Sequence, residues 1–133
     1  MDGCDNFRTR YLINDTCVRL DKVYVYGAIR EFDGQVSVFN YQGGPDYRTL
    51  FPDEEEMLAM PHPSKAVLGV TPGVVGCVET SETIKVILGS PYVLSGNSGT
   101  STCEVWKVTS FRWYSFPSDP LKITVFSDAQ LLR

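Results

Sequence analysis

The 133 residues suit a single domain with one hydrophobic core. Hydrophobic residues make up 43% of the chain, which argues against wholesale disorder, and no apolar run reaches the roughly 20 residues that a membrane-spanning helix needs. The net charge of -4 argues against nucleic acids and anionic membrane surfaces as partners, since both attract a basic face.

The cysteines form the first pattern that runs along the chain. Cys4, Cys17, Cys77 and Cys103 are even in number, lack the CxxC spacing of a zinc site, and are accompanied by a single histidine, His62. This pattern favours two disulfide bonds over four free thiols, with the nearest cysteines paired as Cys4–Cys17 and Cys77–Cys103. Disulfides indicate an oxidising compartment, so the sequence predicts a secreted protein.

The N-terminal region adds two expectations to the secreted interpretation. The opening "MDGCDNF" has no apolar signal segment and is compatible with a mature N-terminus that carries an initiator Met. The triplet Asn14-Asp15-Thr16 matches an N-glycosylation site, which predicts a glycan on Asn14.

Alternation of apolar and polar residues predicts about seven or eight short strands. In "CVRLDKVYVYG" it places Tyr24 and Tyr26 on one face and Val25 on the other. In "QVSVFNY" it holds until Phe39, where the register breaks and a bulge or strand end is expected. Further strands are predicted in "KAVLGVTPGVVGCVET", as two strands joined by a Pro72-Gly73 turn, and in "TIKVILG", "CEVWKVTSF", "RWYSF" and "KITVFS".

One segment has the pattern of a helix. Pro52 suits a first helical position, and the acids from Asp53 to Glu56 suit the positive end of a helix dipole. Pro61 then ends the run, so we expect one short helix near residues 52–60. The acids are interpreted as a solvated helix start rather than as a cation site.

These elements predict an all-β fold, a two-sheet antiparallel, Greek-key-like sandwich with one short helix, forming one disulfide-bonded domain over residues 1–133. A closed barrel is the alternative. Cys17 and Cys103, 86 residues apart, each lead through strands to similar Val-Phe endings, which permits an internal duplication. The other interpretation is that strands simply reuse the same residue types.

A loop near the C-terminal third resembles part of a known family. The stretch 97–102, Asn-Ser-Gly-Thr-Ser-Thr, is similar to the calcium loop of the βγ-crystallin superfamily, and "YLINDTCVRLDKVYVYG" is similar to that family's connection between Greek keys. The resemblance implies a Greek-key sandwich. Because Ser98 replaces an acid and Thr102 replaces the closing serine, Asn97 and Ser101 lack a carboxylate beside them, and we expect calcium binding weaker than about millimolar, or none.

The sequence contains no recognisable catalytic motif. His62 lies between two prolines without a nucleophile motif, no pair of carboxylates stands out, and the glycines of "YQGGPDY" lack the lysine and helix of a phosphate-binding loop. We therefore predict no catalytic residue, no metal ligand and no cofactor.

The glycine-rich stretch 40–47 is the predicted binding element. It holds Tyr41, Gly43, Gly44, Asp46 and Tyr47, and tyrosines on a shaped loop are typical of binding surfaces. The alternative is that the glycines simply end a hairpin. With the other features, this loop predicts a secreted, toxin-like or host-directed effector that binds a protein or glycan. Alternatives are a protease-inhibitor or lectin-like module and a small secreted hydrolase that depends on His62.

Overall fold

The protein has a mixed α/β fold, so the predicted all-β sandwich is wrong. The computed structural model describes residues 1–31, 33–60, 66–95, 102–107 and 112–117. Within these ranges the helices are α1 (Phe7–Arg19), α2 (Tyr47–Leu50), α3 (Glu54–Ala59) and α4 (Val70–Ile87). The strands are β1 (Tyr24–Arg30), β2 (Asp33–Phe39), β3 (Thr102–Lys107) and β4 (Arg112–Pro117). They form one antiparallel sheet in the order β1-β2-β3-β4.

An aromatic cluster covers one face of the sheet. Tyr24 and Tyr26 alternate with Val25 along β1, as the sequence pattern predicted, and Phe39 is the cross-strand partner of Tyr24. Tyr11 from α1 and Tyr47 from α2 complete the cluster. The rings of Tyr26 and Tyr47 lie 5.5 Å apart and those of Tyr11 and Tyr47 lie 5.1 Å apart, which suits edge and tilted aromatic packing. This face therefore holds α1 and α2 against the sheet.

A valine cluster covers the opposite face. Val25, Val36 and Val38 project from β1 and β2 and pack with Val75 of α4 and with Leu94. Because successive strand residues point to opposite faces, both faces of β1 and β2 are buried under helices or loops. The result is a layered α/β arrangement with α4 on one side of the sheet and α1 on the other.

Helix α1 replaces the strand that was predicted to begin at Cys17. Asn6 caps the helix, since its side chain accepts a hydrogen bond from the Thr9 N–H at 2.8 Å. The buried positions Tyr11 and Asn14 are three residues apart, which is a helical spacing. A polar residue at an inward position weakened the apolar pattern, and the helix was missed.

Helix α4 replaces two predicted strands and the Pro72-Gly73 turn between them, together with the predicted strand "TIKVILG". Pro72 is the third helical residue, where the backbone N–H has no partner within the helix in any case. The inward stripe of Val75, Glu79 and Glu82 includes two acids, so it does not look like a core face in the sequence.

Several predicted elements are confirmed. The helix near 52–60 is α3, capped by Asp53 with Glu54, Glu55 and Glu56 in its first turn. Strands β2, β3 and β4 fall where alternation placed them, and β2 ends at Phe39. The predicted strand "KITVFS" lies outside the described residues.

Of the two interpretations of the repeated pattern, the structure favours reuse of the same residue types over a duplication, because Cys17 lies in helix α1 while its counterpart Cys103 lies in strand β3. Among the described residues, no helix combines the length and apolar composition needed to cross a membrane.

Candidate functional site

The N-terminal cavity is the candidate site. It has a volume of about 570 Å³ and opens between the N-terminal segment, the start of α1, strand β1 and helix α4. The segment of residues 2–6, called the cavity loop below, forms its rim. The cavity is lined by residues 2–7, Arg10, Gly27, Ile29, Val67, Pro72, Val75 and Glu79.

Asp2 anchors the cavity loop. Its side chain is fully buried and accepts hydrogen bonds from Arg10 Nε at 3.3 Å, from the Tyr24 hydroxyl at 2.9 Å and from the Cys4 N–H at 2.9 Å. The Asp2 N–H donates to the Val25 carbonyl at 2.8 Å, which ties the loop to β1. A buried carboxylate with this many donors is compensated and fixes the loop in one shape.

Arg10 links the loop to the sheet from the first turns of α1. It is buried, donates to the Cys4 carbonyl at 3.0 Å and to the Gly27 carbonyl at 3.5 Å, and lies 5.5 Å from the centre of the Tyr26 ring. With Asp2, it forms a buried ion pair, and its Nη2 atom donates to the two backbone oxygens.

Asp5 and Asn6 place polar groups at the mouth of the cavity. Asn6 caps α1, so the positive end of this 13-residue helix faces the cavity loop. The Asp5 side chain is exposed and has one weak contact, with Asn6 Nδ2 at 3.4 Å. Asp5 is therefore the lining carboxylate that is most available to a ligand among Asp2, Asp5 and Glu79.

Two further groups of the lining have raised pKa values. Burial, followed by hydrogen bonding to Asp2, raises the pKa of the Cys4 thiol to about 11, so Cys4 is a neutral thiol near pH 7. Burial raises the pKa of Glu79 to about 6, and the Asp2 carboxylate adds to the shift. The described residues contain no group of three or more His, Cys, Asp or Glu side chains placed to hold a metal ion.

The predicted binding loop, residues 40–47, lies away from this cavity. The ring of Tyr47 packs in the aromatic cluster, and its exposed fraction is 0%. The prediction that Tyr47 is an exposed contact is therefore wrong. Tyr41 is partly buried and donates to the Ser90 carbonyl at 3.3 Å. Gly43 has a φ of 74°, which glycine adopts readily in a tight bend, and the Gly44 N–H donates to the Tyr41 carbonyl.

Asp46 and Asn14 have structural roles. Asp46 caps α2 by accepting from the Thr49 N–H at 2.8 Å. Asn14 is 1% exposed, donates to Asp46 at 3.2 Å and accepts from the Tyr47 N–H at 2.9 Å. Its amide is buried and occupied, so the predicted glycosylation of Asn14 is wrong.

The predicted disulfides are also absent, because Cys4, Cys17 and Cys77 are free thiols. Because Cys77 is a free thiol, the predicted Cys77–Cys103 pair is wrong as well. His62 and the calcium-loop residues Asn97 and Ser101 lie outside the described residues.

Sequence reasoning missed Asp2, Asn6, Arg10 and Glu79. One signal was present: Asn6 precedes Phe7, Tyr11 and Asn14, whose spacing of three to four residues is that of a capped helix. The run "DGCDN" also places two acids, Asp2 and Asp5, among the five residues that end at the helix cap, which concentrates polar groups there.

Known relatives overlap most of this chain. It is 46% identical over 120 residues to a probable molybdopterin-synthase adenylyltransferase of Pyropia yezoensis, covering 85% of this chain and 32% of the relative. It is 47% identical over 103 residues to a sulfur carrier protein adenylyltransferase of Thermus thermophilus, covering 73% of this chain and 38% of the relative. It is 45% identical over 97 residues to the adenylyltransferase and sulfurtransferase MOCS3 of Aedes aegypti, covering 72% and 22%. The matched stretch thus spans between 22% and 38% of the length of these three relatives.

These relatives correct the functional interpretation. They are named as enzymes, so the predicted non-catalytic, toxin-like or host-directed effector is wrong, and so is its predicted secreted location. The protease-inhibitor, lectin-like and hydrolase alternatives fall with it.

The family match covers the whole cavity. The ThiF family model matches residues 1–116, a range that includes the cavity loop, α1, β1 and α4. The βγ-crystallin resemblance is therefore wrong, since it depended on the strand pattern of "YLINDTCVRLDKVYVYG" and on the loop at 97–102. This chain belongs to the ThiF family.

Proposed function

We propose that the N-terminal cavity is part of the active site of an adenylyltransferase whose acceptor is a sulfur carrier protein. The observation that carries the proposal is that every residue lining the cavity lies within the stretch matched to the ThiF family, in which relatives are named for adenylyl transfer. The naming of one relative for a sulfur carrier protein supports the acceptor class.

Adenylyl transfer places definite demands on a site. A nucleophile of the acceptor attacks the α-phosphorus of ATP, the bond to the β-phosphate oxygen breaks, and pyrophosphate leaves with the electron pair. The site must hold a polyanion and neutralise the charge that builds on it. The positive end of α1 lies at the cavity loop, where it would help to hold the phosphate groups of the nucleotide.

The lining carboxylates divide into two roles. Asp2 is occupied by Arg10, Tyr24 and the loop backbone, so it shapes the loop. Asp5 is exposed and nearly free. A magnesium ion carried by nucleotide phosphates needs only one or two protein carboxylates, and Asp5 would supply one from this chain.

The test is transfer of radiolabelled adenylyl groups from ATP to a purified sulfur carrier protein. We expect the Asp5→Asn variant of the full-length protein to lose at least about tenfold in kcat/KM. Asp21→Asn is the matched control: Asp21 is an exposed aspartate beyond the far end of α1, and its φ of 49° suits asparagine. It should stay within about twofold of the wild-type rate. Absence of both transfer and pyrophosphate release by the wild-type protein would overturn the proposal.

A further inference from the structure

One buried carboxylate joins the cavity loop to two neighbouring elements. The Oδ1 atom of Asp2 accepts a hydrogen bond from the Cys4 N–H at 2.9 Å, within the loop. Its Oδ2 atom accepts from the Tyr24 hydroxyl of β1 at 2.9 Å and from Arg10 Nε of α1 at 3.3 Å. Tyr24 does not line the cavity that the described residues form, and its hydrogen bond to Asp2 is what connects it to the cavity loop.

The Tyr24 hydroxyl is a donor that the core holds at a fixed point. Tyr24 is 2% exposed, and its ring centre lies 5.9 Å from that of Phe39, 6.2 Å from that of Tyr26 and 6.5 Å from that of Tyr47. A ring packed among other rings leaves its hydroxyl little freedom to move. Of the two side-chain donors to Asp2, Tyr24 is also the closer, which makes it the stronger constraint on where the carboxylate lies.

The position of the Asp2 carboxylate determines the backbone on one side of Asp5. The Cys4 N–H donates to Asp2, and the Cys4 carbonyl accepts from Arg10 at 3.0 Å, so both backbone groups of the residue before Asp5 are held. On the other side, Asn6 caps α1 and is fixed by the helix. The backbone of Asp5 is thus held from both directions, while its side chain remains exposed at the cavity.

We propose that Tyr24 is a positioning residue for adenylyl transfer, because its hydroxyl orients Asp2 and, through Asp2 and Cys4, holds Asp5 where it meets the nucleotide. The inference rests on the proposed function, in which Asp5 is the carboxylate that the loop presents to substrate. A charged group that is already in place needs no rearrangement as charge develops in the transition state. A misplacement of about 1 Å can cost roughly 100-fold in rate, so partial loosening of the loop should cost less than that.

The test is the Tyr24→Phe variant of the full-length protein, which removes the hydroxyl and keeps the ring. Asp2 retains its hydrogen bonds with Arg10 and with the Cys4 N–H, so the variant should fold. We expect kcat for adenylyl transfer to fall about fivefold to tenfold, with the KM for ATP within about twofold of the wild-type value. A kcat equal to that of the wild-type protein would overturn the proposal.

Tyr11→Phe is the matched control. Tyr11 is a second buried tyrosine of the aromatic cluster, and its hydroxyl donates to the Phe51 carbonyl at 2.8 Å, away from the cavity loop. Both variants lose one buried hydroxyl hydrogen bond of similar length, so both should shift the urea midpoint of unfolding by similar amounts. Only Tyr24→Phe should lower kcat. An equal fall of kcat in both variants would mean that general loss of stability is the cause, and the positioning role would be rejected.

A second measurement needs neither nucleotide nor catalysis. Hydrogen exchange of the Cys4 amide, followed by NMR in the absence of ATP, should be at least about fivefold faster in Tyr24→Phe than in Tyr11→Phe, because its acceptor Asp2 is less well held. The Val38 amide, which donates to the Leu94 carbonyl in the core, reports any general loss of stability and should respond alike in both variants. If the wild-type protein transfers no adenylyl group but the Cys4 amide behaves as expected, the proposed function fails while the hold of Tyr24 on the loop stands. If exchange of the Cys4 amide is the same in both variants, the positioning role fails whatever the activity.

Discussion

The cavity loop (residues 2–6) and the glycine loop (residues 40–47) both lead into capped helices. They differ in whether their polar groups are paired within the protein. In the glycine loop the Asn40 N–H donates to the Pro45 carbonyl, and the capping residue Asp46 is held by Asn14. The loop therefore closes on itself and on α1. In the cavity loop, by contrast, Asp5 remains exposed beside an open volume.

This difference shows which features mark a functional site in this fold. Glycines and tyrosines in the sequence predicted a binding role for the glycine loop, yet Tyr47 is a core residue and Gly43 adopts a positive φ. The cavity loop has no such composition, but buried charge that exceeds its compensation lies under it, in Asp2, Arg10 and Glu79. Unusual charge near an open volume is the better indicator of function.

The largest expected effect comes from filling the space between β1 and α4. A Cβ at position 27 would lie 2.5 Å from Glu79 Oε2, so Gly27→Ala must displace the carboxyl group or the helix. We expect a loss of about 2–3 kcal/mol in the free energy of unfolding, measured by urea denaturation. Gly76→Ala, in α4 with nothing within 4 Å of the added Cβ, should instead stabilise the protein by up to about 1 kcal/mol.

The same substitution can be made harmless. In a Glu79→Ala background the carboxyl group is gone, so adding Gly27→Ala should cost less than about 1 kcal/mol. An equal loss in both backgrounds would show that the clash is not with Glu79.

The second effect addresses the glycine loop. Asn14→Ala removes the acceptor of the Tyr47 N–H and the donor to Asp46, leaving a buried N–H unpaired. We expect a loss of about 2 kcal/mol in the free energy of unfolding, with little change in the shape of the cavity loop. Arg8→Ala, an exposed position on α1, should change stability by less than about 0.5 kcal/mol. A stability unchanged in Asn14→Ala would mean that the glycine loop does not depend on this anchor.

The parts of the fold that the sequence predicted are those in which local pattern and burial agree. Strand β2 alternates Val36 and Val38 in the core and ends at Phe39, and α3 carries its acids at the N-terminal end. Here each residue type suits its element without help from the rest of the chain.

The missed parts are those in which tertiary contacts place polar residues inside. Helix α1 buries Asn14, and α4 buries Glu79 and Glu82, so neither helix shows a continuous apolar stripe. Pro72 and Gly73 imitate a turn because their local preference is a turn, and only packing on the sheet overrides it. The candidate site was missed for the same reason, since its residues come from four elements that only the fold brings together.

The smallest expected effect is on stability, and it comes from a substitution that removes the charge of Glu79 but keeps its size. The pKa of Glu79 is raised from its ordinary value of 4.5 to about 6, chiefly by burial, so its contribution to stability is fully present below pH 4.5 and is lost as the pH rises through 6. A shift of this size corresponds to roughly 1 to 2 kcal/mol. Glu79→Gln should therefore match the wild-type protein near pH 4.5 and exceed its free energy of unfolding by that amount at pH 7.5. Paired urea titrations of the two proteins cancel the groups that titrate equally in both, and Glu55→Gln should show no such gain. The difference in the free energy of unfolding between Glu79→Gln and the wild-type protein could instead be the same at both pH values. In that case, a destabilising buried charge would not be the feature that distinguishes the cavity from the glycine loop, which is held by hydrogen bonds within the loop and to α1.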